Sequence, residues 1–270
     1  MYPDTIEWAS QQDDHIWGRF MRLLLLIVYI NFSYCLKMRE HYNITHMAYS
    51  LFDILGPVMH GPSSSHTAGA NRIGYLASRI MGGVPEDVEL GFHPGYMGSY
   101  AGQRSHVGLL AGCLGLREYD ENCMDSISLC REKGVRWSVA PITEESFSRN
   151  TMRVTGIVKG FRYIVNGESV GGGNIIINRI NGLEVHLDGN HYVLVMYAEE
   201  PQIVKEAVDR FSGVIGDSLI EKVEGWVGDG RYMGIISCNT TSEQVEEITS
   251  VTAPRDTRPF SYRFSADTYC

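Results

Sequence analysis

Residues 56–70 read Gly-Pro-Val-Met-His-Gly-Pro-Ser-Ser-Ser-His-Thr-Ala-Gly-Ala, and this stretch decides how the chain around it folds. Each proline fixes its own φ and biases the residue before it towards extended backbone, so no helix should run through the Gly-Pro steps. A helix can begin directly afterwards, over residues 68–81, because small and apolar residues recur there at helical spacing. Ser65 or Thr67 would serve as its N-cap, and two consecutive glycines would end it.

The polar residues of this stretch are candidate ligand-binding groups. Hydroxyls, an imidazole and free backbone N–H groups at a helix N-terminus favour an anionic group such as a carboxylate. Helix capping alone also explains these residue types, so a purely structural loop stays open at this point. A phosphate-binding P-loop fits worse, because Pro62 stands where that motif requires a lysine.

The composition is that of a globular protein with one large or two ordinary domains in its 270 residues. The net charge is −9 and no cluster of Lys and Arg interleaves with aromatic residues, which argues against a nucleic-acid partner. The scattered cysteines match neither a disulfide framework nor a zinc or ferredoxin spacing. If an iron–sulfur cluster is involved, this chain does not hold it alone. The cysteines are Cys35, Cys113, Cys123, Cys130, Cys238 and Cys270.

Residues 1–46 differ from the rest of the chain. Arg19 and Arg22 precede a short apolar run at residues 23–30, an order that signal segments share. No small-x-small cleavage site follows, and the run is far shorter than the roughly 20 apolar residues of a membrane span. We favour Met47 as the natural start, preceded by an over-extended reading frame, with export or membrane anchoring as the alternative.

From residue 50 onwards the pattern alternates between strands and helices, which predicts an α+β (mixed α/β) fold. The second part follows the order β-α-β-β-α with a possible final strand, as in a small ferredoxin-like sandwich. Asn181-Gly182 between two alternating runs predicts a hairpin with a type I′ turn. The elements predicted before residue 190 are strands at 88–92, 135–139, 151–158, 161–165, 174–180 and 183–187 and helices at 107–116 and 125–133. Those predicted after it are strands at 192–197, 220–227 and 233–237, an amphipathic helix through residues 204–211 and a helix at 242–249.

The predicted domain organisation has four parts. Residues 1–46 are an extension outside the core, residues 47–189 the main domain, residues 190–253 the smaller sandwich and residues 254–270 a tail without periodicity. A glycine-rich loop at residues 93–106 is the second place where a ligand could meet the start of a helix.

Residues 50–57 and 61–70 resemble the start of the β chain of iron–sulfur-dependent L-serine dehydratases (L-serine ammonia-lyases). The segments 169–173 and 182–190 follow the same family in the same order. The resemblance covers roughly residues 50–191, and more loosely an ACT-like domain after them. Its most specific part is Gly-Pro-Ser-Ser-Ser-His-Thr.

The resemblance implies a domain like the allosteric substrate-binding domain of some phosphoglycerate dehydrogenases, followed by the ACT-like domain. It implies a cytoplasmic lyase that converts L-serine to pyruvate and ammonia as a homo- or hetero-oligomer. It also implies a 4Fe-4S cluster held by cysteines of an α subunit, whose open iron acts as a Lewis acid on the substrate hydroxyl. The β chain would then be inactive without that partner.

The resemblance also implies the site residues. Ser63, Ser64, Ser65 and Thr67 would contact L-serine, and His66 is the candidate catalytic residue. A structural histidine that bonds the loop backbone is the alternative for His66, since its ordinary pKa merely permits catalysis.

The glycine-rich loop departs from the family. Where the family has Gly-His-Gly-Thr-Asp, this chain has Gly-Gln-Arg-Ser-His at residues 102–106. Gln103 cannot act as a general base, because an amide has no usable pKa near neutrality. Arg104 adds a fixed positive charge suited to a second carboxylate. Gln103, Arg104 and Ser105 complete the set of predicted substrate contacts. His106 should face elsewhere once a helix begins. Either the base is another group, such as His66 or a partner residue, or the chain serves a different hydroxy or amino acid.

Two further features bear on function. The turn at residues 198–202 is acidic and lacks the glycine of an effector-binding ACT turn, so we expect a structural or dimerising role there. Cys270 is expected to be a terminal thiol without a cluster role. A non-catalytic module that binds a small amino or hydroxy acid and controls a partner is the alternative function. A membrane-anchored sensor is a third, which depends on residues 1–46.

Overall fold

The structure is a computed structural model that describes residues 58–144, 148–189, 191–228 and 230–239, together with the backbone of residues 260–262. The predictions made for residues 1–46 and for the helix at 242–249 lie outside the described residues. No helix within the described ranges is long and apolar enough to cross a membrane.

The described chain is a mixed α/β structure, as predicted. Its helices are α1 Gly69–Met81, α2 Ser105–Cys113, α3 Ser126–Lys133 and α4 Pro201–Ile215. Its strands are β1 Asp87–Phe92, β2 Arg136–Pro141, β3 Thr151–Val158, β4 Phe161–Gly171, β5 Asn174–Ile180, β6 Leu183–Leu187, β7 Tyr192–Ala198, β8 Leu219–Trp226, β9 Tyr232–Cys238 and β10 Phe260–Tyr262.

The first sheet has the strand order β2-β1-β3-β4-β5-β6. β1 and β2 are parallel, and every other neighbouring pair is antiparallel. The β5–β6 hairpin turns at Asn181 and Gly182, with φ angles of 48° and 94°. The predicted type I′ turn needs two left-handed residues at these positions, so the hairpin prediction is confirmed. One face of the sheet is covered by α1, which contacts β3, β4 and β5.

The second sheet is antiparallel, with the strand order β10-β7-β9-β8. Both of its faces are buried, because alternate residues of β7 join different clusters. Val193 and Val195 belong to the main hydrophobic core, whereas Leu194 and Met196 pack in a second cluster with α4. The division into domains at residue 190 stays a prediction.

The start of α1 differs from the expected one. Ser63, in extended backbone after Pro62, is the N-cap: its Oγ accepts the His66 N–H at 3.1 Å. A widened, π-type turn over Ser64–Ala68 then leads into α1. The predicted caps, Ser65 and Thr67, are wrong, because the first extended residue before the turn takes that position. The predicted end is confirmed by left-handed Gly82, with φ of 80°.

The C-terminal part also differs from expectation. The absence of periodicity predicted a structureless tail over residues 254–270, which is wrong for Phe260–Tyr262. These residues pair antiparallel with Val193–Val195. A strand of three residues is too short to show a period, and it forms because the outer edge of β7 offers unpaired N–H and C=O groups.

The contact between α1 and α2 is made backbone to backbone. A Cβ atom placed on Gly108 would overlap the carbonyl oxygen of Thr67, and one on Gly112 would overlap that of Asn71. Only glycine at these two positions allows the helices to lie this close. The approach brings the Ser63–Thr67 turn against the loop that precedes α2.

We expect Gly108→Ala to destabilise the protein by about 2 kcal/mol, since the steric overlap exceeds the roughly 1 kcal/mol gain in helix propensity. Urea denaturation followed by circular dichroism measures the change in the free energy of unfolding. The matched control is Gly213→Ala in α4, where the new methyl group meets nothing within 4 Å and should stabilise by about 0.5 kcal/mol. Equal effects of the two substitutions would contradict the close helix contact.

Candidate active site

The predicted serine-rich loop forms one connected turn at the start of α1. The side chains of Ser63, Ser64, Ser65 and His66 are half-buried, and Thr67 is fully buried. The Oγ atom of Ser63 lies 3.3 Å from Nδ1 of His66 while it accepts the His66 N–H. The imidazole is therefore tied to the N-cap of its own turn.

Ser169 fastens this turn to the sheet. Its hydroxyl, on β4, donates to the carbonyl oxygen of Ser65 at 2.7 Å, and its side chain is 3% exposed. Two motifs that the sequence singled out separately, residues 63–67 and residues 169–173, thus meet in space.

Thr67 joins the turn to the glycine-rich loop. Its Oγ1 donates to the backbone oxygen of Gln103 at 2.9 Å. The loop itself is a short 3₁₀ turn at Pro94–Tyr96 followed by consecutive turns, and α2 begins at Ser105. The predicted second ligand loop lies directly beside the first.

Tyr96 belongs to the glycine-rich loop and contacts the serine-rich turn, and sequence reasoning missed it. Its ring stacks on the imidazole of His66 with centroids 5.1 Å apart and planes 18° apart. Its hydroxyl donates to Oε1 of Gln103 at 2.5 Å and is also hydrogen-bonded to Oγ of Ser105. The available signal was an aromatic residue placed near the start of a glycine-rich loop.

Burial sets the protonation of both stacked rings. Loss of solvent lowers the pKa of His66 below its ordinary value of 6.5. Loss of solvent also raises the pKa of Tyr96, an effect that its hydrogen bond with Ser105 partly offsets. At neutral pH the imidazole is therefore neutral and able to accept a proton, and the phenol remains a donor.

The rest of the predicted loop residues lie apart from this cluster. Arg104 is exposed and left-handed, with φ of 55°, and its carbonyl oxygen accepts the Gly108 N–H. His106 packs between the rings of Tyr100 and Trp137, at 5.4 and 6.2 Å, so its ring partners are not those of His66. Burial is the largest cause that lowers the pKa of His106, and the charge of Arg104 adds to it.

A partly buried ion pair connects the segments around the turn. Glu118 is 3% exposed and accepts from Nε of Arg72 at 2.9 Å. Nη1 of the same Arg72 donates to the Gly173 oxygen at 2.9 Å, and the His60 N–H donates to the Glu118 backbone oxygen at 2.8 Å. The pair joins α1 to residue 118, whose backbone also binds residue 60 just before the serine-rich loop. No sequence pattern predicted this ion pair.

The four cysteines in the described ranges do not form a metal site. Cys113, Cys123, Cys130 and Cys238 are all buried. Burial raises the pKa of Cys123 and of Cys238 to about 11, which disfavours the thiolate that binds iron. Within the described residues, no group of three or more His, Cys, Asp or Glu side chains is arranged to hold a metal ion. Cys35 and Cys270 lie outside the described residues.

Comparison with known proteins identifies the family. The chain is 35% identical over 167 residues to the "Probable L-serine dehydratase, beta chain" of Bacillus subtilis (strain 168). The match covers 62% of this chain and 72% of that relative. The chain belongs to the L-serine dehydratase beta-chain family. The "L-serine dehydratase, beta chain" of Peptoniphilus asaccharolyticus is 29% identical over 168 residues, covering 61% of this chain and 76% of that relative.

No family model matches the chain. The resemblance to L-serine dehydratase beta chains that the serine-rich stretch predicted is confirmed by the two relatives. The substrate contacts predicted for this beta chain, and the catalytic role of His66, stay predictions.

The ion pair of this beta chain gives a stability test. We expect Glu118→Gln to cost about 2 to 3 kcal/mol in the free energy of unfolding, because it replaces the charged acceptor of the Arg72 Nε–H, a carboxylate that is 3% exposed, with a neutral amide. The matched control is Glu184→Gln, which breaks an ion pair to Arg179 of the same 2.9 Å length. Glu184 is 82% exposed, so its loss should cost less than about 1 kcal/mol. A cost for Glu118→Gln as small as that of the control would show that the buried pair does not hold these segments.

Proposed function

We propose that this chain is the β subunit of an L-serine ammonia-lyase, which dehydrates and deaminates L-serine to pyruvate and ammonia together with an α partner. The observation that carries the proposal is the joining of the Ser63–Thr67 turn to Gln103 and Tyr96, with a neutral imidazole at the junction. Both relatives are named as L-serine dehydratase beta chains, one of them as "Probable", which supports the same reaction for this chain.

The turn supplies a binding site for the substrate carboxylate. The N–H groups of Thr67 and Ala68 donate to the Ser63 oxygen, at 2.9 and 3.2 Å, within the turn. Those of Ser64 and Ser65 find no acceptor among the residues described. Backbone N–H groups at a helix N-terminus attract an anion, and the half-buried hydroxyls of Ser64 and Ser65 add donors. The carboxylate of L-serine would therefore lie against these two residues.

His66 would remove the proton from Cα of the bound substrate. Its imidazole is neutral at pH 7, its plane is set by the stack on Tyr96, and its Nδ1 is coupled to the Ser63 hydroxyl. Loss of the Cα proton and of the hydroxyl as water yields an enamine, which tautomerises and is hydrolysed to pyruvate and ammonia.

A 4Fe-4S cluster is expected from the family, and the described thiols do not fit its ligands because they are buried and dispersed. We therefore assign the cluster and its cysteine ligands to the α partner. A cytoplasmic location and assembly into a homo- or hetero-oligomer belong to the same proposal.

The second sheet supports an ACT-like domain. Its order β10-β7-β9-β8 corresponds to the fourth, first, third and second strands of the unit, and α4 follows the first strand. We propose a structural or dimerising role for it, because the turn from β7 to α4 is acidic and carries no glycine.

A second function is favoured by one observation. Gln103 stands where the family has a histidine, and its Oε1 is hydrogen-bonded to Tyr96, so this position supplies no base. A non-catalytic module that binds a small amino or hydroxy acid and controls a partner would retain the serine-rich turn and lose the base.

Anaerobic co-expression with an α-type partner separates the two functions. Pyruvate formed from L-serine by the purified complex, and by neither chain alone, is the result expected of the β subunit. A complex that holds its cluster and binds L-serine but forms no pyruvate would contradict the lyase and support the regulatory module.

We expect His66→Asn to lower kcat by about 100-fold or more, as for the loss of a general base. The base must be neutral, so activity is lost as the pH falls through its pKa. Because burial lowers that pKa, the acid limb of kcat/KM should lie below pH 6.5. The control His186→Asn changes an exposed residue of β6 and should leave the rate unchanged. An unchanged acid limb and rate in His66→Asn would assign the base to another group.

A further inference from the structure

The hydroxyl of Tyr96 connects two side chains that the proposed function uses only indirectly. It lies within hydrogen-bonding distance of Oε1 of Gln103 and of Oγ of Ser105. Tyr96 is 6% exposed and Ser105 fully buried, so these bonds are not exchanged readily with water.

The number of protons decides the direction of each bond. The amide oxygen of Gln103 can only accept, so the single phenol proton of Tyr96 is used there. The remaining bond is then made by the Ser105 hydroxyl, which donates to the phenol oxygen. The resulting chain of donors runs from Ser105 through Tyr96 to Gln103.

This order determines what Gln103 can offer to a ligand. With its oxygen occupied by Tyr96, the side chain retains the two N–H donors of its amide. The backbone oxygen of Gln103 is bonded to Thr67, so these donors belong to a residue held against the serine-rich turn. Donors suit a carboxylate oxygen and would not suit a cationic group.

The ring of Tyr96 acts on a different residue. The ring packs against that of Phe92, with centroids 5.7 Å apart. It also stacks on the imidazole of His66, with centroids 5.1 Å apart. Phe92 is fully buried at the end of β1, so the position of the Tyr96 ring is set by the core of the sheet. The imidazole plane of His66 is in turn set by that ring.

We propose that Tyr96 is the positioning residue of this site: its hydroxyl fixes Gln103 as a hydrogen-bond donor to a carboxylate oxygen of the substrate, and its ring fixes the plane of the His66 imidazole. The proposal rests on the proposed function, because the substrate it assumes is a 2-amino-3-hydroxy acid. At position 103, where the family has a histidine, the glutamine of this chain would bind the substrate and would take no part in proton transfer.

Two substitutions separate the hydroxyl from the ring. Tyr96→Phe keeps the stack on His66 and removes the donor to Gln103, so KM for L-serine should rise about five- to tenfold while kcat stays within about threefold. Tyr96→Leu removes both, so kcat should also fall by about tenfold or more. A merely structural role would lower the amount of folded enzyme without this split between KM and kcat.

Gln103→Glu tests the direction of the amide. A carboxylate can still accept from Tyr96 but offers no donor and repels the substrate carboxylate, so KM should rise more than in Tyr96→Phe. The control is Tyr100→Phe, in the same loop, whose ring stacks on Phe92 at 4.9 Å and which should leave both constants unchanged. An unchanged KM in Tyr96→Phe or in Gln103→Glu would overturn the role of the hydroxyl.

A measurement on the free full-length chain keeps the test independent of the lyase reaction. The Cε1–H resonance of His66, assigned with His66→Asn, should keep its ring-current shift in Tyr96→Phe and lose it in Tyr96→Leu. An identical chemical shift of this resonance in the wild-type chain, Tyr96→Phe and Tyr96→Leu would overturn the role of the ring. If no complex forms pyruvate, calorimetric Kd values for L-serine replace KM, so a failure of the proposed function is distinguished from a failure of this inference.

Discussion

The backbone contact between α1 and α2 is the constraint on which the rest of the structure depends. Gly108 and Gly112 let the two helices approach until side-chain carbons would overlap carbonyl oxygens. The turn that begins α1 and the loop that begins α2 are therefore forced together at one end of the helix pair. The hydrogen bond from Thr67 to Gln103 and the stack of Tyr96 on His66 both follow from that approach.

The serine-rich turn is stabilised by groups that lie outside it. Ser169 holds the serine-rich turn to β4, and the Arg72–Glu118 pair ties α1 to the chain beside residues 60 and 173. The side-chain bonds are partly buried, where a hydrogen bond is stronger than in water and an unpaired group is costly. The serine-rich turn is thus bonded to the sheet and to α1, which suits the proposed site because its donors and imidazole must keep fixed positions.

The sequence predicted those features of the fold that depend on neighbouring residues. The β5–β6 hairpin follows from Asn181-Gly182, the end of α1 from Gly82, and most strands from alternation. The sequence did not show which of several neighbouring hydroxyl residues caps the turn, because that depends on backbone geometry. Ser63 is the cap, whereas Ser65 or Thr67 was predicted. The sequence also did not predict β10, where pairing with β7 organises three residues that carry no period of their own.

By itself the sequence determined the family, the mixed α/β class and the residues of the serine-rich turn. A motif of consecutive residues can be recognised without knowing which other residues surround it in the fold. Only the tertiary structure decided which other groups join that turn. Thr67 and Gln103 are 36 residues apart, and Ser65 and Ser169 are 104 apart. These contacts depend on how the helices pack and on the order of the strands. The position of Tyr96 depends on the same packing, since its ring packs on Phe92 of the core and its hydroxyl bonds Ser105 at the start of α2.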